Sequence, residues 1–451
     1  MPGLTHTLDI ARRAMSAQQS VLSVIGHNVA NTNTPGYCRQ VATLAQEVPS
    51  PWGAHGYGNG VSVESIQRRR DACLDHELRH DMTDLHWWET RAGKLSTLES
   101  ILNEPSDAGL AAAMDAFWNS LSELSNDPDD MTRRASVREQ GRQLAYRFQI
   151  LITRTGQIGH NIDQEIQSCV EEFNLCLQDV QGLNIKIREA ELRCVEANDL
   201  RDRRDVLLDQ LCRFAPIIYS EREDGIISIR LPSSVILDEG IYRPLEAVVE
   251  EDADGQGRVT VLLPSGRAAE IEGGSIGALL ELREETLPTY MEQIDTLAQA
   301  IITNVNALHG TGPARANFFA GTDAQDIAIS PDIEDDLRNL NPSTSGMPGD
   351  NDIALAIAQL SHSRIMESGT MSPTEYWRSV VGRLGVDSRE ATFQQESLTL
   401  TTQSLEQRRT SVSGVNLDEE MARILVTQQA YMGAVKVLQA AGDMMDILLS
   451  I

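Results

Sequence analysis

The sequence predicts a mainly α-helical protein whose two ends pair with each other and enclose the rest of the chain. Three observations carry this prediction: a heptad seam at each end, and a short β-rich block between residues 217 and 272. Apolar positions that alternate four and three residues apart are typical of a helix lying along another helix. We therefore expect a discontinuous helical bundle with paired N- and C-terminal coiled-coil helices and a small inserted β domain.

The two seams have the same spacing and similar length. The N-terminal seam, with Ala11 and Gln18 at its two remaining positions, consists of Leu4, Leu8, Met15, Leu22, Ile25 and Val29. The C-terminal seam, with Gln428 and Gly442 at its two remaining positions, consists of Leu417, Met421, Ile424, Tyr431, Val435, Leu438, Met445 and Leu449. Some of these side chains are expected in the intramolecular core, and the rest in contacts with neighbouring subunits.

Composition limits the classes of function. The chain has 451 residues, which allows two or three domains, and its net charge of −28 argues against nucleic-acid binding. No apolar run reaches the roughly 20 residues that a membrane span needs, and residues 1–25 show no cleavable signal. The six cysteines form no CxxC pair. Cys169, Cys176 and Cys194 share one helical seam, which indicates buried thiols rather than disulfides.

The N-terminal half is expected to be helical apart from one connector. The first helix should end near Asn28, and residues 38–65 should form an extended connector with a hairpin. Helices are predicted over 67–103, 108–125 and 130–155, the second capped by Ser106 or Asp107. A further helix is predicted from the long seam between Ile166 and Ala197.

The C-terminal half begins with the β-rich block. Its turns are expected at residues 224–225, 254–255 and 265–266. Helices should follow from about 275 to 309, over 352–366 and 374–411, and from 417 to 449. Asn416 is the expected N-cap of the last helix, with Glu419 completing a capping box. The expected domains are 1–65 with 400–451, 66–216 with 273–399, and 217–272.

One motif would suggest an enzyme. Residues 76–80 read His-Glu-Leu-Arg-His, the HExxH pattern in which two histidines bind zinc and the glutamate acts as a general base. On a helical wheel, however, His76 and His80 lie away from the leucine stripe, on the solvated side. Two surface histidines on a bundle helix are therefore expected, and a zinc metallopeptidase remains the remote alternative.

Two other patterns have simple explanations. Residues 252–257 begin like a calcium loop, but Leu263 stands where the bidentate glutamate belongs, so a hairpin turn is expected. The triplet Arg68-Arg69-Arg70 is expected on a solvated face or in a salt bridge between subunits. We expect no catalytic residue, cofactor or bound metal.

Two terminal motifs resemble those of bacterial flagellar axial proteins, which include rod, hook and hook-associated proteins. Residues 28–37, Asn-Val-Ala-Asn-Thr-Asn-Thr-Pro-Gly-Tyr, resemble the N-terminal signature, with Asn28, Asn31, Thr34, Pro35, Gly36 and Tyr37 as its signature residues. Residues 414–421, Gly-Val-Asn-Leu-Asp-Glu-Glu-Met, and the Gln-Gln-Ala-Tyr of 428–431 resemble its C-terminal counterpart. Residues 104–110, 273–280 and 305–309 are similar to the FlgK family, hook-associated protein 1, in particular.

This resemblance implies a structural, non-enzymatic subunit at the hook–filament junction, exported to the flagellum without a cleaved signal peptide. It implies a ring of identical subunits, with the terminal seams as the axial interface. The implied partners are the hook protein, the second junction protein and an export chaperone that binds the C-terminal helix. A hook or rod subunit is the nearer alternative, and residues 104–110 and 273–309 count against it.

Overall fold

The computed structural model describes residues 2–48, 50–52, 55–193, 196–251 and 257–449. Long helices dominate it, with a few small antiparallel sheets. The helices are α1 (Pro2–Ala30), α2 (Ala72–Leu102), α3 (Leu110–Asn126), α4 (Met131–Glu191), α5 (Asn198–Phe214), α6 (Gly274–Glu281), α7 (Leu287–His309), α8 (Pro331–Asp335), α9 (Asp352–Gln359), α10 (Pro373–Ser413) and α11 (Leu417–Leu449). The predicted mainly α-helical class with a small β insertion is confirmed.

The strands form short antiparallel sheets. The strands are β1 (Gln40–Gln46), β2 (Ser50–Trp52), β3 (His55–Tyr57), β4 (Val61–Arg68), β5 (Ile218–Glu221), β6 (Ile227–Leu231), β7 (Ser234–Asp238), β8 (Ile241–Tyr242), β9 (Glu246–Glu251), β10 (Gly257–Leu262), β11 (Phe319–Ala320) and β12 (Ala328–Ile329). Strands β1 and β4 form a ribbon, and β5 to β8 form a sheet in chain order. The pairs β2–β3, β9–β10 and β11–β12 are separate hairpins.

The bundle core lies among α2 to α7, α9 and α10. Helix α2 packs against α10, α6 and α5, whereas α3 packs against α4 and α9. The largest fully buried apolar side chains include Phe117, Phe148, Phe173 and Trp377. The N- and C-terminal helices α1 and α11 pack against each other outside this core, as the matched seams predicted.

Helix α4 is the longest element and corrects one prediction. The sequence predicted one helix ending near Thr155 and another beginning near Ile166, but a single helix of 61 residues spans both. Gly156 and Gly159 lower the helix propensity between the two parts. Ile158 and Ile162 are buried there, so core packing continues the helix across the gap.

Other element boundaries also differ from the predictions. Helix α2 begins at Ala72 rather than near residue 67, because Gln67 pairs with Val41 in the β1–β4 ribbon. The cap expected from Ser106 or Asp107 is wrong, since the N-cap of α3 is Gly109. Helix α9 ends at Gln359 instead of 366. The domain boundary expected at residue 400 falls inside α10.

The segment from Gly274 to His309 is continuous but changes its winding once. A π-helical turn, Leu282–Thr286, joins α6 to α7, and its closing bond runs from the N–H of Leu287 to the carbonyl of Leu282. Pro288 lies in the first turn of α7 and has no N–H to donate. The wider turn accommodates the proline ring, which would clash with a carbonyl one α-turn earlier.

The β insertion is attached to α4 through two asparagines. Asn174 donates to the carbonyl of Leu245 at 2.8 Å and accepts from its N–H at 2.9 Å. Asn184 makes the same pair of bonds to Ile227, at 2.8 and 3.2 Å. Each amide thus satisfies one main-chain donor and one acceptor that would otherwise be buried unpaired.

Candidate assembly surface

Helix α11 carries apolar side chains on nearly all sides, and most of them are uncovered. We call the following residues the outer face of α11, each between 43% and 75% exposed: Leu417, Met421, Leu425, Val426, Met432, Val437, Met444, Ile447, Leu448 and Leu449. A helix that is apolar all round is typically buried on several sides, and many exposed apolar side chains on one helix are typical of an interaction surface. The outer face is therefore suited to contact with another protein surface.

The opposite stripe of α11 packs on α1 in an antiparallel pair. The Nε2 atom of Gln19 donates to the hydroxyl of Tyr431 at 3.4 Å, and Asn28 contacts Glu420 at 3.2 Å. Glu420, Thr427 and Ala441 are buried in this stripe. The predicted seam residues that are half-buried there are Ile424, Tyr431, Val435, Leu438 and Met445.

Three residues of the predicted C-terminal seam lie on the outer face instead: Leu417, Met421 and Leu449. Every named residue of the N-terminal seam faces inward, with Ile25 buried and the other five half-buried. At the start of α11 the buried position is occupied by Glu420, an acidic side chain that apolar periodicity cannot detect. Asn416 is the predicted N-cap and accepts from the N–H of Asp418 at 2.9 Å. The Glu419 side chain instead binds Arg39.

The signature residues of the N-terminus form a compact hydrogen-bonded loop. Buried Asn28 donates to the carbonyl of Gln40 at 2.9 Å and accepts from its N–H at 3.0 Å. The hydroxyl of Tyr37 also donates to Asn28 Oδ1, at 2.8 Å. Asn31 donates to the carbonyl of His27 at 3.0 Å and accepts from the Thr34 hydroxyl at 3.1 Å. The loop is thus closed over the end of α1.

Two further signature residues shape the exposed tip of this loop. Pro35 is exposed, and Gly36 has a φ of +75°, a backbone conformation that favours glycine. A Cβ atom on Gly36 would lie 2.2 Å from Cγ2 of Val206 on α5. The loop therefore lies so close to α5 that only glycine fits at position 36. An open cavity of about 480 Å³ lies beside this contact.

Arg39 connects the two ends of the chain. Its side chain is 6% exposed, its Nε donates to Glu420 at 2.7 Å and its Nη1 lies 2.9 Å from Glu419. Its backbone N–H donates to the carbonyl of Ser413, the last residue of α10, at 2.8 Å. We call Arg39, Glu419 and Glu420 the Arg39 cluster.

Helix α5 supplies a row of carboxylates beneath the signature loop. We call this row, which lies on one helix face, the acidic ridge: Asp199, Asp202, Asp205 and Asp209. Asp199 accepts from the side chain of Gln40 at 2.7 Å, and Asp202 accepts from the N–H of Cys38 at 3.0 Å. The loop is thereby fixed to the bundle as well as to α11.

Arginines are the main remaining partners of the acidic ridge, and His27 lies 3.2 Å from Asp199. Asp205 pairs with Arg68, at 2.6 Å, and with Arg70 and Arg79. Asp209 pairs with Arg79 and with Arg409 of α10, both at 2.7 Å. The expectation that Arg68 and Arg70 lie on a solvated face or between subunits is wrong. Both are largely buried in an intramolecular network with Asp202 and Asp205, which lie more than 130 residues away in sequence, and Arg70 also binds the nearby Asp75.

Burial and charge pairing act in opposite directions on the pKa values of the carboxylates in this network. Burial disfavours the charged form of Asp205, but Arg70, Arg68 and Arg79 outweigh it and hold its pKa below the usual range. Burial raises the pKa of Asp202, which has fewer cationic neighbours. Burial also raises the pKa of the Cys38 thiol to about 11, so this cysteine is protonated and unreactive at neutral pH.

The HExxH histidines lie where the helical wheel placed them. His76 and His80 are exposed on α2, and Nδ1 of His80 lies 3.4 Å from Asp84. Within the described residues, no group of three or more His, Cys, Asp or Glu side chains is arranged to hold a metal ion. Most of the candidate calcium loop, residues 252–256, and Cys194 lie outside the described residues. No helix in the described part of the chain is long and apolar enough to cross a bilayer.

Three family models match the chain, in an order that follows its architecture. Residues 8–37 match the flagella basal body rod protein family, and residues 406–451 match the C-terminal family of the flagellar basal body rod FlgEFG proteins. Residues 95–323, half of the chain, match the helical domain of the flagellar hook-associated protein FlgK. Both terminal matches cover segments that contribute to the α1–α11 pair.

Relatives match along most of the chain. Flagellar hook-associated protein 1 of Bacillus subtilis is 28% identical, over 97% of this chain and 96% of that protein. Its counterpart in Escherichia coli is 24% identical, over 99% of this chain and the whole of that protein. The fold is similar to that of the flagellar hook junction protein FlgK from Burkholderia pseudomallei, with a TM-score of 0.65 and 14% identity, over 75% of this chain and all of that one.

The paired terminal helices, the helical bundle and these matches define the class, which is that of structural proteins of the bacterial flagellum. Members of this class assemble with other axial components of the flagellum. Within it, the chain belongs to the flagellar hook-associated protein FlgK family, and it is a structural subunit of the hook–filament junction.

Proposed function

We propose that the subunit assembles into a ring when neighbouring copies cover the outer face of α11 together with the exposed side of α1. The observation that carries this proposal is the outer face itself. Full burial of a Leu, Ile, Val or Met side chain contributes roughly 1.5–3 kcal/mol, so even partial coverage of these side chains favours association. When each subunit contacts the next through two different surfaces, the same rotation relates every neighbouring pair. The subunits form a closed ring if these rotations add up to a full turn.

We further propose the organisation that this assembly requires. Residues 1–65 with 400–451 form the axial unit, residues 66–216 with 273–399 form the surrounding bundle, and residues 217–272 form the outer β unit. The close packing of α1 on α11 supports the first of these units. The β strands between Ile218 and Leu262 support the last.

The proposed partners follow from the position of a junction subunit. Hook protein lies on one side of the ring, and the second junction protein lies on the other. Before assembly, an export chaperone covers the C-terminal helix, and export proceeds without a cleaved signal peptide. The uncovered apolar residues of α11 support the chaperone, because such a surface would otherwise promote aggregation.

We propose that the protein has no enzymatic activity. The exposure of His76 and His80 supports this proposal, because a catalytic zinc needs a dry, supported cleft. Metal analysis of the purified protein tests it: stoichiometric zinc that is lost from a His80→Ala variant would revive the zinc peptidase alternative.

Deletion of the gene in its host tests the proposed function directly. We expect cells that keep their hooks but lack filaments when viewed by electron microscopy, and restoration of filaments by the wild-type gene. Loss of the hook as well would identify a hook or rod subunit instead. Filaments of normal length in the deletion strain would contradict both.

A further inference from the structure

The N-terminal and C-terminal signatures meet at one buried site. Asn28 lies in the N-terminal signature and Arg39 in the short segment between it and strand β1, whereas Glu419 and Glu420 come from the C-terminal signature. The Glu420 carboxylate accepts from Arg39 through Oε1 and from Asn28 through Oε2. Its side chain is fully buried, although it lies in the first turn of a helix whose other sides are largely exposed.

This site coincides with the covalent connections between the terminal helices and the bundle. Helix α10 ends at Ser413 and α11 begins at Leu417, so only residues 414–416 separate them. The α1 end continues through the signature loop into strand β1, which begins at Gln40. Arg39 bridges the two connections through its backbone bond to Ser413 and its side-chain bonds to α11.

Arg39 is also tied to the bundle side through the main chain. The N–H of Arg69 donates to the carbonyl of Arg39 at 2.8 Å. The residues on either side, Cys38 and Gln40, bind Asp202 and Asp199 of the acidic ridge. One residue thus has hydrogen bonds to α11, to the end of α10 and to the segment that leads into α2.

We infer that Arg39 is the positioning residue that sets the direction of the α1–α11 pair relative to the bundle. Its fork of N–H groups binds two consecutive carboxylates at the start of α11, which fixes the direction of that helix as well as its proximity. Under the proposed function, this direction decides where the outer face of α11 points in the ring. The positioning itself does not depend on the flagellar role.

The two carboxylates should contribute unequally. Glu419 has a side chain that is 59% exposed, and exposed ion pairs contribute little. Glu420 is fully buried, and removal of its charge leaves the Arg39 guanidinium buried with a weaker partner. The variant Glu420→Gln should therefore disturb the direction of α11 far more than its neighbour Glu419→Gln, which is the matched control.

The test measures direction and folding separately in the purified full-length chain. The native cysteines are first replaced by alanine, in a background whose Tm is unchanged. Spin labels are then attached at Glu171→Cys on α4 and Gln439→Cys on α11. They report the spread of distances between the bundle and the α1–α11 pair. Amide hydrogen exchange of α1, α4 and α11 reports folding. The variants are Arg39→Lys, Arg39→Gln, Glu420→Gln and Glu419→Gln, with Arg12→Gln, a surface arginine of α1, as a further control.

We expect Arg39→Gln and Glu420→Gln to broaden the distance distribution at least about twofold, while exchange in α4 stays within about twofold of the wild-type rate. Arg39→Lys should give an intermediate width, because one ammonium cannot reproduce the fork. Unchanged widths in Arg39→Gln and Glu420→Gln would overturn the inference, and so would equal broadening in Glu419→Gln. Loss of protection in α4 would overturn it too, because Arg39 would then stabilise the whole fold. None of these outcomes bears on the gene deletion, so the two proposals fail separately.

Discussion

At the scale of single residues, asparagines on helices fix the main chain of neighbouring segments. Each of four amides binds both the N–H and the carbonyl of one residue elsewhere in the chain: Asn28 with Gln40, Asn174 with Leu245, Asn184 with Ile227, and Asn306 with Phe319. The side-chain amide takes the place of a neighbouring strand. The N–H and carbonyl of the bound residue therefore keep hydrogen-bond partners where strand pairing ends.

Asn184 is fully buried, so its replacement should be costly. In Asn184→Ala the N–H and carbonyl of Ile227 lose their partners, and Arg204 loses an acceptor at 3.2 Å. We expect a loss of about 2–4 kcal/mol in the free energy of unfolding, measured by urea denaturation. The control is Asn161→Ala, an exposed asparagine on the same helix, which should change stability by less than about 0.5 kcal/mol. Equal effects of the two variants would contradict the account.

His309 should make stability depend on pH. Its buried ring donates from Nδ1 to the carbonyl of Ala316 at 2.7 Å and accepts at Nε2 from the N–H of Asn341 at 2.9 Å, so only the neutral ring fits. Burial lowers the pKa of His309, so the unfolded chain takes up a proton first as the pH falls below about 6.5. The stability from the neutral ring is complete above that pH and is lost below it.

Thermal unfolding at pH 8 and pH 5.5 measures this effect. His309→Gln should have a lower Tm at pH 8 and a smaller loss of Tm between the two pH values than the wild type. The exposed His160→Gln should keep the wild-type dependence. A pH dependence that is unchanged in His309→Gln would show that other groups are responsible.

At the scale of elements, the sequence predicted the seams and most of the helices, and it failed where partners come from distant segments. The bounds of α11 agree because Asn416 and the acidic first turn are local signals. The acidic ridge was missed, although its spacing of three and four residues is visible in the sequence. Its partners lie in β4, α2 and α10, and no local pattern indicates which side chains meet there.

The signature loop offers a test of close packing. Gly36→Ala should lower the free energy of unfolding by about 1–3 kcal/mol, because a positive φ and the contact with Val206 both oppose a Cβ atom. Gly26→Ala on α1, where no other side chain lies within 4 Å of the added Cβ, should stabilise the chain by about 0.5–1 kcal/mol. Urea denaturation measures both changes. A neutral Gly36→Ala would mean that the loop does not pack on α5 in solution.

At the scale of the whole molecule, the fold separates a self-sufficient bundle from a helix pair that lacks a core of its own. The bundle buries Phe117, Phe148, Phe173 and Trp377 in its core, whereas α11 leaves one apolar face in solvent. Stability and assembly should therefore respond to different substitutions.

Matched valine substitutions separate the two properties. Val426 on α11 and Val249 on β9 are 67% and 56% exposed. Val426→Asp and Val249→Asp should each change the free energy of unfolding of the isolated chain by less than about 0.5 kcal/mol. Only Val426→Asp should abolish swimming and filaments in a complemented deletion strain, because it places a charge in the proposed contact. The reverse pattern would move the contact to the β unit.

Photo-crosslinking in intact flagella tests most directly the claim that neighbouring copies cover the outer face of α11. Leu425 on this face and Leu175 on α4 are 62% and 61% exposed, and each is replaced in turn by benzoylphenylalanine. We predict adducts between two copies of the chain from position 425, and far fewer from position 175. Filamentous cells that give no such adduct from position 425 would contradict the account.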